Sequence, residues 1–181
     1  LPIALIVIIF QTMLMSGGIL AGSRTASPVK YIPILACGYI LLSLFIVGLV
    51  PLIFNLPALA HKWEVMLFIW LLVITTAAFT GAVSPLFKDP EEVMLYVPFF
   101  SVGLIFLSGS SFPINQMPHI WQIVHYLFPT SPGIIGYIKL NCMGGSLQHV
   151  VPQTIVLLVQ LFVYGSVFII YLRRLHKRNN L

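Results

Sequence analysis

The side chains able to do chemistry in this sequence are few, and they are badly spaced for it. Five histidines, His61, His119, His125, His149 and His176, are scattered along the chain. His119 and His125 stand six apart, whereas two metal ligands on one helical face need a spacing of about four, and no HExxH string or carboxylate partner accompanies them. They read as surface or interface histidines. Ser108, Gly109, Ser110 and Ser111 do not form the G-x-S-x-G elbow, and no acid–base partner lies close in sequence. Tying off a helix end is the plainer role for these hydroxyls. Asp89, Glu91 and Glu92 cluster in Lys88-Asp89-Pro90-Glu91-Glu92, which reads as a helix start. Asp89 can cap, Pro90 suits the first turn, and Glu91 and Glu92 favour the positive end of the dipole. Neither a P-loop lysine motif nor a G-x-G-x-x-G string is present, so the chain has no recognisable route to ATP. The expectation is a chain with no catalytic residue, no metal ligand and no cofactor of its own.

The elements that carry these residues are set by the scarcity of charge. Asp, Glu, Lys and Arg make up 7% of the 181 residues, against roughly a quarter in an ordinary soluble domain. Hydrophobic residues make up 59%, and the mean hydropathy is +1.04. Too few polar side chains remain to cover a globule, so lipid must solvate most of the surface. Apolar runs occupy 2–22, 32–54, 65–87, 91–109 and 150–172. Each is near the ~20 residues that a helix rising 1.5 Å per residue needs to cross a bilayer. They lack sustained alternation and are about twice too long for barrel strands. The fold expected is an all-α integral membrane protein, a single domain of five transmembrane helices. Apart from Glu91 and Glu92, which open the fourth, the five spans carry no charge, unlike the usual proton- or ion-coupled carrier.

Charge also sets an orientation. Arg24, Lys30, Lys88, Arg173, Arg174, Lys177 and Arg178 fall in breaks on one side of the alternating path, and Lys62 and Lys139 on the other. Short loops rich in Lys and Arg stay in the cytoplasm, so the chain is expected to start outside and end inside. The net charge of +5 is explained by this topology and by anionic lipid, not by nucleic acid. An odd number of spans with an outside start, and Leu rather than Met at position 1, imply an upstream helix. Cys37 falls in the second span and Cys142 on the outer side, so no bridge between them is expected.

Residues 108–149 are the unusual stretch. Short apolar pieces, Trp121 to Phe128 and Gly133 to Leu140, are separated by Pro118, Pro129 and Pro132 and followed by Asn141-Cys142-Met143-Gly144-Gly145. They are too short to span, and suit re-entrant or interfacial helices on the outer side before the last span. Gly17, Gly18 and Gly22 in the first span, and Thr75, Thr76, Ala77 and Ala78 in the third, allow close helix approach. That approach serves either packing within the bundle or a subunit interface or path.

Ser108-Gly109 followed by Phe112-Pro113, then Met117-Pro118, Trp121 and Phe128-Pro129, resembles the membrane subunit of type-2 ABC exporters. That family carries an S-G-x-x-[FW]-P-x-x-x-[MI]-P signature after its fifth helix and a second proline motif about a dozen residues on. The resemblance implies six helices with both ends inside and, in one bacterial branch, a large extracytoplasmic domain after the first. This chain then looks like helices two to six. It implies an outer gate built on Ser108, Gly109, Phe112, Pro113, Met117, Pro118, Trp121 and Pro129. Ser23, Arg24, Thr25, Ser27 and Lys30 stand where the family places its coupling helix. Many relatives have an acidic E-x-x-G-T-like stretch there, and this chain has Ser23-Arg24-Thr25-Ala26-Ser27-Pro28. Lys88, Asp89, Glu91 and Glu92 would form a second cytoplasmic contact.

The partners implied are an ATP-binding cassette subunit, which would hold ATP and Mg, and a second permease subunit, identical or different. The lipid bilayer and a periplasmic adaptor protein complete the list, and the location implied is a bacterial inner membrane. The apolar spans favour amphipathic, lipid-like or drug-like cargo moved outward. Two other classes compete. A membrane-embedded transferase would need converging polar groups at membrane depth. A non-transport assembly or anchor protein would not demand the re-entrant pieces.

Overall fold

A computed structural model describes residues 2–23, 27–45, 62–87, 89–107 and 118–179. Seven α-helices and no strand are found among them. They are α1 (Pro2–Gly22), α2 (Pro28–Leu44), α3 (Lys62–Val83), α4 (Pro90–Leu107), α5 (His119–His125), α6 (Thr130–Tyr137) and α7 (Val151–Asn179). Five of these correspond to the apolar runs, and α5 and α6 are the two short pieces before the last. Two stretches, Trp63–Leu86 and Leu147–Leu175, are long and apolar enough to cross a membrane, and Ile6–Gly22 and Pro28–Leu44 are shorter apolar helices. The second expected span continues to 54, outside the described residues.

Several hydroxyls inside the helices are satisfied locally, whereas Thr80 Oγ1 is buried without a protein partner. Thr12 Oγ1 donates to the Ile8 carbonyl at 2.6 Å and Ser16 Oγ to that of Thr12 at 2.7 Å. Thr75 and Thr76 donate to Leu71 and Leu72, each at 2.8 Å. Such back-bonding lets a hydroxyl sit in an apolar helix without an orphaned proton. Thr75, Thr76 and Thr80 are buried against neighbouring helices. Of the two readings left open for the threonines, packing within the bundle is the one observed.

α3 is the central helix. It packs against α1, α2, α6 and α7 and carries Val65, Phe68, Ile69, Leu72 and Val73 into the core. α7 lies at the periphery, with Phe162, Val163, Ile169 and Ile170 among its exposed apolar side chains. A helix this apolar and this exposed needs lipid or another protein around it. α1 and α4 run antiparallel and meet closely where Gly18 faces Val93 and Gly22 faces Pro90; a Cβ on Gly22 would lie 2.9 Å from the Pro90 nitrogen. The first-span glycines therefore seat α4, with Gly17 turned toward Thr80 and Leu35.

The bundle has a basic end, formed by Lys30, Asp89, Glu91, Arg173, Arg174 and Lys177, all exposed. Its opposite end holds Glu64 and residues 143–149. α2 begins at Pro28, four residues before the expected start, because Ser27 sits extended as its N-cap and Pro28 occupies the first turn. α7 continues past the apolar run to Asn179, since Arg173, Arg174 and Lys177 are good helix formers whose charge suits a helix C-terminus.

Candidate functional site

α5 and α6 form a helical hairpin, residues 118–142, that turns at 126–129. Its depth is fixed by contacts along α3. At the end opposite the basic one, the Glu64 carboxylate accepts the Leu147 backbone N–H at 3.0 Å. Gly136 then faces Phe68, and Gly133 faces Leu72. At the turn, the Phe128 ring packs edge-on against Phe79 with centroids 5.9 Å apart. From Glu64 to Phe79 is fifteen residues, so the turn lies ~22 Å down a helix that is ~33 Å long. The two short pieces thus re-enter past the middle of the bundle.

Two features of the sequence make this possible. Gly133 and Gly136 sit three apart on the α6 face toward α3. A Cβ at Gly133 would lie 2.7 Å from Leu72 Cδ1, and one at Gly136 would overlap the Phe68 ring. Small residues at this spacing let two backbones approach. The return path is closed by a π-helical turn, Ile138–Cys142, ended by Gly144 at φ 63°. The Gly145 N–H donates to the Lys139 carbonyl at 3.1 Å. A left-handed residue at a helix C-terminus favours glycine, which accounts for the Gly144-Gly145 pair.

Non-helical backbone at this depth has carbonyls that lipid cannot satisfy. α7 supplies the donors. Gln160 Nε2 donates to the Tyr126 carbonyl at 2.6 Å, and Tyr164 Oη, one turn further on, donates to that of Leu127. The ring of Tyr164 also packs edge-on against Phe79 at 5.0 Å. Gln160 and Tyr164 therefore clamp the turn. Buried beside it are Thr130 Oγ1, Ser131 Oγ and Gln160 Oε1, polar atoms without a protein hydrogen-bond partner in this structure. His125 is buried at the end of α5, its ring edge-on to Tyr126.

Of the residues expected to form an outer gate, Ser108, Gly109, Phe112, Pro113 and Met117 lie outside the described residues. Pro118 opens α5, Trp121 is exposed on it, and Pro129 is buried at the turn. Sequence reasoning missed Gln160, Tyr164 and Glu64. The signal for the first two was a polar pair four apart within an apolar helix. Glu64 gave none, because its partner is 83 residues away.

At the basic end, Ser23 follows α1 and donates to the Leu20 carbonyl at 3.1 Å. The Ser27 carbonyl accepts the Lys30 N–H at 2.9 Å. Arg24, Thr25 and Lys88 lie outside the described residues. Asp89 and Glu91 are exposed and Glu92 is half-buried. The Gly22–Pro90 approach brings the end of α1 and the acidic start of α4 side by side. Tyr31 donates to Ser84 Oγ at 3.5 Å, joining α2 to the last turn after α3. Among the described residues, no His, Cys, Asp and Glu cluster could hold a metal ion.

Residues 1–170 match the family described as ABC-2 family transporter protein. No curated protein and no solved structure matches the chain. The family match covers nearly the whole helical bundle, hairpin included, and it agrees with the signature at residues 108–118. The chain therefore belongs to the ABC-2 transporter family: it is a multi-pass inner-membrane permease subunit of an ABC transporter, a transport component that works in a dimeric assembly with an ATP-binding cassette partner and is not the ATPase itself.

Proposed function

We propose that this subunit, paired with a second permease copy or a related chain, exports amphipathic, lipid-like or drug-like compounds, with residues 110–149 as the outer gate region. The basic end then faces the cytoplasm, and the start of α1 and the Glu64 end face outward. ATP and Mg are held by the partner ATPase, which docks on Ser23, Arg24, Thr25, Ser27 and Lys30 and on Lys88, Asp89, Glu91 and Glu92. ATP-driven closure of the ATPases pushes on these residues, and α1 and α4, which meet at Gly22–Pro90, carry the motion to the hairpin.

The observation that carries the reading is the hairpin itself: a deep, re-entrant turn held by two side-chain hydrogen bonds and two small-residue contacts. Non-helical backbone at this depth is tolerated where it is buried in protein or lines a cavity. The cargo class is supported by burial. Among the described residues no Asp, Glu, Lys or Arg is buried, so none of them offers the membrane-depth charge that ion-coupled carriers use.

The test is to express the full-length gene with its neighbouring reading frames, purify this subunit, and reconstitute what comes with it. An ATP-binding subunit is expected to co-purify, and its ATPase rate to rise severalfold, on the order of the 5- to 150-fold couplings typical of linked sites, with an amphipathic compound. Purification without any ATPase, or a rate indifferent to every amphipath tried, would remove the reading.

A further inference from the structure

A cavity of roughly 400 Å³ lies between α1, α3, α4, the hairpin turn and α7. Its floor is Phe10, Phe79 and Val97, 2%, 6% and 3% exposed, and its mouth is framed by Tyr96 and Leu127, 59% and 54% exposed. The mouth thus opens sideways, not toward either end of the bundle. The wall presents carbon and no polar surface. The Tyr164 hydroxyl, which could have changed that, is turned to the Leu127 carbonyl.

Water has no place there, since an ordered molecule needs two to four polar partners. An apolar cavity of ~150 Å³ already admits benzene, and this one is more than twice as large. It is also elongated. The Phe87 ring lies at the level of Gly18, 3.4 Å from where a Cβ there would be, and Phe10 lies eight residues further along α1, ~12 Å away. Such a slot matches an extended chain better than a compact ring system. The Phe79 ring, with Phe10 at 5.5 Å, Phe128 at 5.9 Å and Tyr164 at 5.0 Å, forms its back wall.

The geometry points to a hydrocarbon-chain site inside the single permease subunit: one acyl or alkyl tail enters between Tyr96 and Leu127 and lies against Phe79, its head group left outside that mouth. Two walls, Leu127 and Phe128, belong to the hairpin turn, so a bound tail touches the residues that Gln160 and Tyr164 hold. The site does not depend on the export reading, because a resident tail would occupy it in a subunit that moves nothing.

The experiment places the full-length protein, with whatever ATPase accompanies it, in vesicles of phosphatidylethanolamine and phosphatidylglycerol. Two probes carry a mid-chain diazirine, one on a phospholipid and one on a free fatty acid. After irradiation, labelled positions are mapped by mass spectrometry. Bulk lipid reaches Phe99 and Phe162, 85% and 74% exposed; it cannot reach Phe10, Phe79 or Val97. Label on those three from the phospholipid probe means a resident bilayer lipid, and label from the fatty acid alone means a free amphipath. Either result supports the site. Val97→Trp and, separately, Val83→Trp should fill the slot and lower that label about tenfold, with Phe99 and Phe162 unchanged as the measure of intact insertion. Label confined to exposed positions with both probes would overturn the inference.

Discussion

Gln160→Leu combined with Tyr164→Phe is expected to reduce ATP-driven transport at least about tenfold while leaving insertion and binding of the ATPase subunit intact. The Tyr126 and Leu127 carbonyls would lose their donors at a depth where lipid offers none. Side-chain hydrogen bonds within membranes average ~0.6 kcal/mol and reach ~1.7 kcal/mol. Orphaning a buried acceptor costs about 1–3 kcal/mol. The pair should therefore weaken seating of the turn by about 2–3 kcal/mol, enough to depopulate a two-state element of ordinary stability. Ser166→Ala is the control on the same helix. Its hydroxyl is exposed and bonds only the Phe162 carbonyl of its own turn, at 2.7 Å, so transport should not change. Uptake of an amphipathic dye into inside-out vesicles reads both variants.

The second large effect is expected at Gly136. Gly136→Leu drives a Cβ into the Phe68 ring, and overpacking of this kind costs about 1–3 kcal/mol when neighbours can yield and more when they cannot. Phe68 is 2% exposed and enclosed by the core, so the yielding part is the hairpin, which should lift from α3 and lose transport. Gly165→Leu on α7 meets open space and should be silent. Phe68→Ala in the Gly136→Leu background should restore part of the loss, a coupling that a double-mutant cycle measures. Thermal stability of the purified complex provides the energetic readout.

The membrane class was legible because charge is so scarce that no soluble surface could be assembled, and the positions of α1 to α4 and α7 followed from where the few polar residues fall. α2 starts four residues before the apolar run because Pro28, at a first-turn position, continues into the helix. The end of α7 was cut at Leu172 for a similar reason: the hydropathy stops there while the helix propensity of Arg173, Arg174 and Lys177 does not. The existence of short re-entrant pieces was readable from their length and flanking prolines. Their depth was not. It is set by Gly133 and Gly136 against Leu72 and Phe68, and by Gln160 and Tyr164 reaching carbonyls 34 and 37 residues away. Sequence spacing cannot show which face of α6 meets α3, or that uncharged side chains on the last helix answer the backbone of the turn. The meeting of the α1 end with the α4 start was hidden in the same way, since it depends on how closely Gly22 lets Pro90 approach.

The central claim is that the hairpin between α4 and α7 moves against α3 when cargo passes. A cysteine pair at Leu72 and Gly133 tests it, in a background where Cys37 and Cys142 are replaced by Ser. The Cβ position at Gly133 lies 3.4 Å from Leu72 Cγ, so the two side chains point at each other as a disulfide requires. The oxidised complex, with the crosslink verified, should still bind ATP but should move dye at background rate, and reduction should restore transport. Undiminished transport by the fully crosslinked complex would show that the hairpin stays fixed on α3 throughout the cycle and is not the gate.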